Sequence, residues 1–273
     1  VNFQNIPRDL DVVKRAFVPK LGALSYFDYS SVEPRLLAYF AAQLGDFDFA
    51  ALIRDGIDPY TAVARIVTEQ EEITKEERQL WKVMFLSLMY GGGQRTIMAQ
   101  FGVGQVEARR MIRQFHDNFP VVRELIDRTK AVALKRGYIK TPWGRHLHVP
   151  EFGEHKMLNS LIQGSAADLM KAALIEVDQC LTEMGVATHM VNVVHDEIQF
   201  DGPLGELDLL HKTVPFLMCE TDPITAGINE VVPILVDHEV TVTNWAEKCP
   251  YEEFLRIKAF DREFVPTCDT EGL

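Results

Sequence analysis

The sequence predicts an α+β protein: short buried strands, and long helical stretches between them. Apolar, β-rich runs stand at Gly22–Phe27, His189–Phe200 and Val236–Val242, each of strand length. Runs of helical character separate them, the longest from about Glu154 to Met184 and the best bounded from about Lys75 to Tyr90.

Composition bounds the function. The 273 residues are 47% hydrophobic and 25% charged, the profile of an ordinary globular protein with room for one large domain or two. No apolar run has membrane-spanning length and no signal peptide opens the chain, so a cytoplasmic location and no membrane partner are expected. Cys180, Cys219, Cys249 and Cys268 are widely spaced, without a CxxC pair, and read as reduced thiols rather than a zinc site or disulfide frame. A net charge of −12 counts against a nonspecific nucleic-acid surface over the whole molecule. It leaves room for a local basic groove, and metal-binding carboxylates add to the acidic total. The first residue is Val1, from which a natural chain that continues upstream is expected.

Taken in order, VNFQNIPRD places Gln4, Asn5 and Arg8 around Pro7, a loop without regular helix. Gly22–Phe27 then runs into DYSSVEPR. Asp28 ends the strand, Ser30 or Ser31 can cap the next helix, and Glu33 and Pro34 fit its first turn. A carboxylate at a buried strand end, with the Tyr29 backbone carbonyl beside it, is poised to hold a hard cation. A plain strand-to-helix turn has the same composition. From Leu44 to Thr68, Gly45, Gly56 and Pro59 break the chain into short helices.

Thr74 and Glu77 form a capping box before the helix that ends at Gly91–Gly93. Arg78, Lys82, Leu86 and Tyr90 recur every fourth residue, and successive members drift by roughly 40° round the helix. Two cations a turn apart, with an aromatic two turns on, suit a triphosphate lying along the helix and a base stacked at its end. A solvated amphipathic helix shows the same charges. Gln105–Phe115 and Pro120–Lys135 read as helices, and residues 137–141 and 145–148 as a hairpin across Pro142-Trp143-Gly144. On the long helix His155, Asn159 and Gln163 form another stripe, followed by the small residues Gly164 to Ala167. Amides there can donate to the minor-groove acceptors that every base pair presents. His195-Asp196-Glu197 sits at the centre of the second β-rich run, where adjacent carboxylates between apolar strands call for a neutralising cation. Residues beyond Trp245 carry no assignment.

These segments resemble one family. DYSSVEPR is similar to DYSQIELR, R-x3-K-x7-YG to the nucleotide-binding helix, ERxxxNxxxQGxAAD to the run through Asn159 and Gln163, and VVHDE to the third signature of family A DNA polymerases of bacteria and phages. The Gln4-Asn5 segment, the GYIKTPWGRHLHVP hairpin and Thr243-Asn244-Trp245 fit the same family. The resemblance implies a polymerase right-hand fold. It puts an antiparallel palm sheet at 1–41 and 151–246, inserted helical fingers at 42–150, an unassigned tail at 247–273 and no thumb in this chain.

It also implies template-directed DNA synthesis from dNTPs on a primer-template, by a monomer with two Mg²⁺ ions that Mn²⁺ can replace. Asp28, Asp196 and the Tyr29 carbonyl would hold metal, with Glu197 a secondary carboxylate. Arg78 and Lys82 would bind phosphates, Lys82 also protonating the leaving group. Glu33 and Tyr90 would close over the sugar, with Leu86 against it. Gln4, Asn5, Arg145, His155, Asn159, Gln163 and His195 would contact DNA. Three positions depart from the family: Tyr60 where His is common, Leu86 where Phe or Tyr stands, and His155 in place of Arg. Two rivals share parts of the pattern. They are a single-subunit RNA polymerase, disfavoured by Glu33, and a thumbless remnant that binds without turnover, disfavoured by intact Asp28, Lys82 and Asp196.

Overall fold

The structure, a computed structural model, describes residues 11–89, 92–150, 153 and 156–263. In chain order these form α1 (Asp11–Lys14), β1 (Ala23–Tyr29), α2 (Val32–Gln43), α3 (Asp48–Arg54), α4 (Pro59–Thr68), α5 (Lys75–Met89), α6 (Gln94–Phe101), α7 (Gln105–Asn118) and α8 (Pro120–Arg136). There follow β2 (Tyr138–Lys140), β3 (His146–His148), α9 (Met157–Met184), β4 (His189–Val194), β5 (Glu197–Gly202) and α10 (Leu207–Phe216). Last come α11 (Pro223–Val231), β6 (Val236–Thr241), β7 (Cys249–Pro250) and α12 (Tyr251–Glu263). Among the described residues no helix is long and apolar enough to cross a membrane.

Contacts divide the chain into two compact units, residues 1–30, 173–218 and 235–273 in one, 31–172 and 219–234 in the other. The first unit holds an antiparallel sheet of order β4-β5-β1-β6-β7. Central β1 is buried along almost its whole length, as a strand paired on both sides and covered on both faces must be. Alternation sorts its side chains. Ala23 faces the back, where Leu207 of α10, Val240 of β6, and Tyr251 and Phe254 of α12 complete a cluster. Leu24 and Tyr26 face the front with Trp245, which Phe17 meets edge-on. Strand β5 is buried throughout, and its polar members are satisfied: Asp201 accepts from the Lys20 and Leu21 N–H groups, and Gln199 donates to Glu197.

The second unit is mostly helical, with the β2–β3 hairpin as its sheet, and local sequence sets the breaks between its helices. Helix α4 starts at Asp58-Pro59, with Pro at the first position and the Asp58 carboxylate accepting from the Thr61 N–H; α11 starts the same way at Asp222-Pro223. Both combine the best N-cap type with the residue whose missing N–H costs nothing there. The capping box on α5 forms in both directions, Thr74 N–H to Glu77 and Glu77 N–H to the Thr74 hydroxyl. Past α5 the chain folds back tightly: the Gly92 N–H bonds to the Ser87 carbonyl at 2.7 Å, and a Cβ on Gly92 would lie 2.5 Å from that oxygen. Ser31 departs from expectation. It is the N-cap of α2 by position, but its backbone is left-handed (φ 53°) and its hydroxyl makes no capping bond.

Candidate active site

The front of the sheet carries carboxylates in one row. In an antiparallel ladder, residues directly opposite each other point to the same face. Asp28 lies opposite Glu197 on β5 and Asp237 on β6. Asp196 is brought in by a two-residue turn joining β4 to β5, in which His195 takes a positive φ of 56°. The Tyr29 N–H clips this turn to the end of β1 through the Asp196 carbonyl at 3.1 Å, while the Tyr29 hydroxyl donates to the Met218 carbonyl at 2.7 Å. The Asp28 and Asp196 side chains come within hydrogen-bonding reach. Burial, then repulsion from Asp196 and Glu197, pushes Asp28 up to about 7, with Lys248 pulling the other way. A divalent cation between such groups would remove the repulsion.

Glu197 is differently engaged. One oxygen accepts from Gln199 Nε2 at 2.6 Å and the other from Lys248 Nζ at 2.6 Å. Lys248 also pairs with Glu239 at 2.6 Å and sits 4.8 Å above the Tyr26 ring. Burial works against its ammonium, but Glu197 and Glu239 outweigh that and hold its pKa above the usual value. Among the described residues no cluster of three or more His, Cys, Asp or Glu side chains stands ready around one metal position. Asp28 and Asp196 stand as a pair.

In the helical unit, Trp81, Met84, Phe85 and Leu88 of α5 are buried, while Arg78, Lys82 and Leu86 line its half-exposed side. These three members of the expected stripe thus stay partly exposed. Arg78 makes a bidentate pair with Asp58, Nε–Oδ2 and Nη2–Oδ1 both 2.7 Å. Burial raises the Asp58 pKa, but the bonds from Arg78 and Thr61 prevail and hold it below the usual range. Lys82 makes no ion pair among the described residues; its ammonium lies 4.8 Å over the Tyr60 ring, and the Arg78 guanidinium 5.6 Å from the same ring. Tyr60, itself packed edge-on against Phe85, therefore serves as an aromatic platform for both cations. Glu33 lies in the first turn of α2.

Asn159 and Gln163 sit one turn apart on α9 and share a 3.3 Å hydrogen bond. Hairpin β2–β3 packs close to that helix, where Gly164 is needed: a Cβ there would come within 2.8 Å of Leu147. Arg145 is held in place rather than extended. Its Nη2 donates to the Gly164 carbonyl at 2.7 Å, and its Nε lies 2.7 Å from Asp168 Oδ1, an ion pair without hydrogen-bond alignment. His195 is exposed on its turn. Gln4, Asn5, Tyr90 and His155 lie outside the described residues.

Over residues 1–247 the sequence matches DNA polymerase family A. The chain belongs to that family. Among family A relatives, DNA polymerase I of Streptococcus pneumoniae serotype 4 is 30% identical over 264 residues, covering 90% of this chain and 29% of the relative. DNA polymerase I of Pseudomonas aeruginosa is 31% identical over 264 residues, covering 90% and 28%. The POL domain of Pol1 from M. smegmatis, in complex with DNA primer-template and dNTP, superposes with a TM-score of 0.79 at 30% identity, covering 90% of this chain and 44% of that one. The chain thus spans under a third of the curated relatives it matches and under half of that structure.

Three residues of this family A chain escaped sequence reading. Asp58 clamps Arg78 from twenty positions away. Asp237 joins the carboxylate row through strand register alone. Lys248 lies one residue past the family match and reaches Glu197 across 51 positions.

Proposed function

We propose that this chain is the nucleotide-adding part of a DNA polymerase, transferring dNMP from dNTP to a primer 3′-hydroxyl on a DNA template. The observation that carries the reading is the meeting of Asp28 and Asp196 at the end of β1, with the Asp28 carboxyl raised by its neighbours. The donor set fits Mg²⁺, which takes hard oxygen ligands, one or two carboxylates, and completes its shell with water and substrate phosphate. Asp28, Asp196 and the Tyr29 carbonyl would hold two ions, whose chemistry is to activate the primer hydroxyl and neutralise phosphate charge. The protein's own part is positioning and electrostatics. Arg78 and Lys82, oriented by Asp58 and Tyr60, bind the triphosphate, and Lys82 donates a proton to the departing pyrophosphate. Leu86 and Glu33 pack against the sugar, Glu33 excluding a 2′-hydroxyl. Asn159 and Gln163 test the minor groove of the new pair. In this reading the palm is 1–41 and 151–246, the fingers are 42–150, and the enzyme works as a monomer.

Primer extension by the full-length natural protein tests it. Asp28→Ala and Asp196→Ala should each lower nucleotide addition by about 10³-fold or more while the protein stays folded. Near-normal extension by either variant would sink the assignment. Preferential use of rNTPs over dNTPs would shift it to RNA synthesis.

A further inference from the structure

The segment that follows the family match is built into the sheet. Strand β7 pairs along the edge of β6, Val240 opposite Cys249 and Glu239 opposite Pro250. Tyr251 and Phe254 of α12 then join the buried cluster behind it. These contacts fix the chain immediately before them, which is Lys248, on the front of the sheet. Its ammonium bridges Glu197 and Glu239 at 2.6 Å each and rests over Tyr26. With Gln199 on its other oxygen, the Glu197 carboxylate is engaged at both ends, although Glu197 sits directly opposite Asp28.

We propose that Lys248 is a positioning residue that withholds Glu197 from the divalent-cation site, so that Asp28 and Asp196 carry the ion. The inference rests on the proposed reading of that pair as metal-binding. Its physical content is twofold. A third carboxylate on the ion would occupy a coordination position that Mg²⁺ otherwise leaves to water, primer and phosphate, and would tighten binding at the expense of exchange. A fixed cation beside the row also offsets part of the attraction that so many carboxylates exert on Mg²⁺. Lys248 thus keeps an acid-rich face from becoming a permanent metal trap.

The test is Mn²⁺ binding to the intact protein, read by electron paramagnetic resonance, with the metal site defined as the component lost in Asp28→Asn. Lys248→Met should tighten that component by about ten-fold or more, and Lys248→Arg should leave it near the wild-type affinity. Glu197→Gln should weaken Mn²⁺ binding several times more in the Lys248→Met background than in the wild type, because only there is the carboxylate free to ligate. Should Lys248→Met fail to fold, Lys248→Gln at this partly exposed position carries the same expectations. Unchanged or weaker Mn²⁺ affinity on removing Lys248, or equal effects of Glu197→Gln in both backgrounds, would overturn the inference while leaving the metal site standing. No component sensitive to Asp28→Asn would overturn both.

Discussion

On helix α5 Arg78 and Lys82 each have support of their own. Arg78 is clamped by Asp58 in two parallel hydrogen bonds, and Lys82 rests on the Tyr60 ring. On the front of the sheet the balance is reversed. Asp28, Glu197, Asp237 and Glu239 come from three neighbouring strands and Asp196 from the adjoining turn, while Lys248 pairs with two of them. The pKa directions record the difference: Asp58 is held low by its partners, and Asp28 is pushed up by burial and like charge. The first surface is complete within the protein and can wait, preformed, for an anionic ligand. The second carries repulsion that a bound cation would relieve, the arrangement expected where folding stability is given up for a functional site.

The largest expected effect sharpens the α5 side of this comparison. If Leu86 faces the sugar of an incoming nucleotide, Leu86→Tyr adds a hydroxyl that can replace the hydrogen bond a dideoxynucleotide loses with its 3′-hydroxyl. Dideoxynucleotide incorporation relative to dNTP should rise by ~10-fold to 1000-fold, the range for one hydrogen bond of about 1.5–4 kcal/mol in a closed site. Equal discrimination by both proteins would show that Leu86 points elsewhere.

A smaller effect tests whether Arg78 is preorganised as the geometry indicates. Asp58→Ala removes both the N-cap of α4 and the clamp on Arg78. It should cost about 1–2 kcal/mol in urea unfolding, most of it from the cap, since the pair is about one-third exposed. Asp58→Asn keeps a capping oxygen and should recover more than half of that loss. A variant without measurable cost would mean that neither the cap nor the Arg78 pair stabilises the fold, and full recovery in Asp58→Asn would mean that the charge pair itself contributes nothing.

How much of this was legible beforehand follows from how far apart the interacting residues lie. The Thr74–Glu77 box, the hairpin at 137–148 and the turn before Glu197 were readable because the governing interactions span a few residues. The helix predicted at 105–115 runs on to Asn118, whose side chain bonds to the Val67 carbonyl, a partner no local pattern reveals. Asp237 and Lys248 stayed hidden for the same reason. Strand pairing gives one its neighbour, and a chain end without a motif supplies the other. Ser31 misled because its residue type favours capping, whereas the chain there turns through a left-handed conformation.

The central claim is that the carboxylate face is under electrostatic stress that a divalent cation relieves, and thermal unfolding of wild type against Asp28→Asn measures it. Because the Asp28 pKa lies near 7 in the fold against an ordinary 3.8, the folded state binds the proton more tightly. The stability Asp28 contributes is therefore lost as pH rises from about 4 to about 7. In chelator at pH 8, Asp28→Asn should melt about 2–6 °C above wild type. The gap should close as the pH approaches 4, and added Mg²⁺ should raise wild type more than the variant. A wild type at least as stable as Asp28→Asn at pH 8 in chelator, with no selective response to Mg²⁺, would contradict the account.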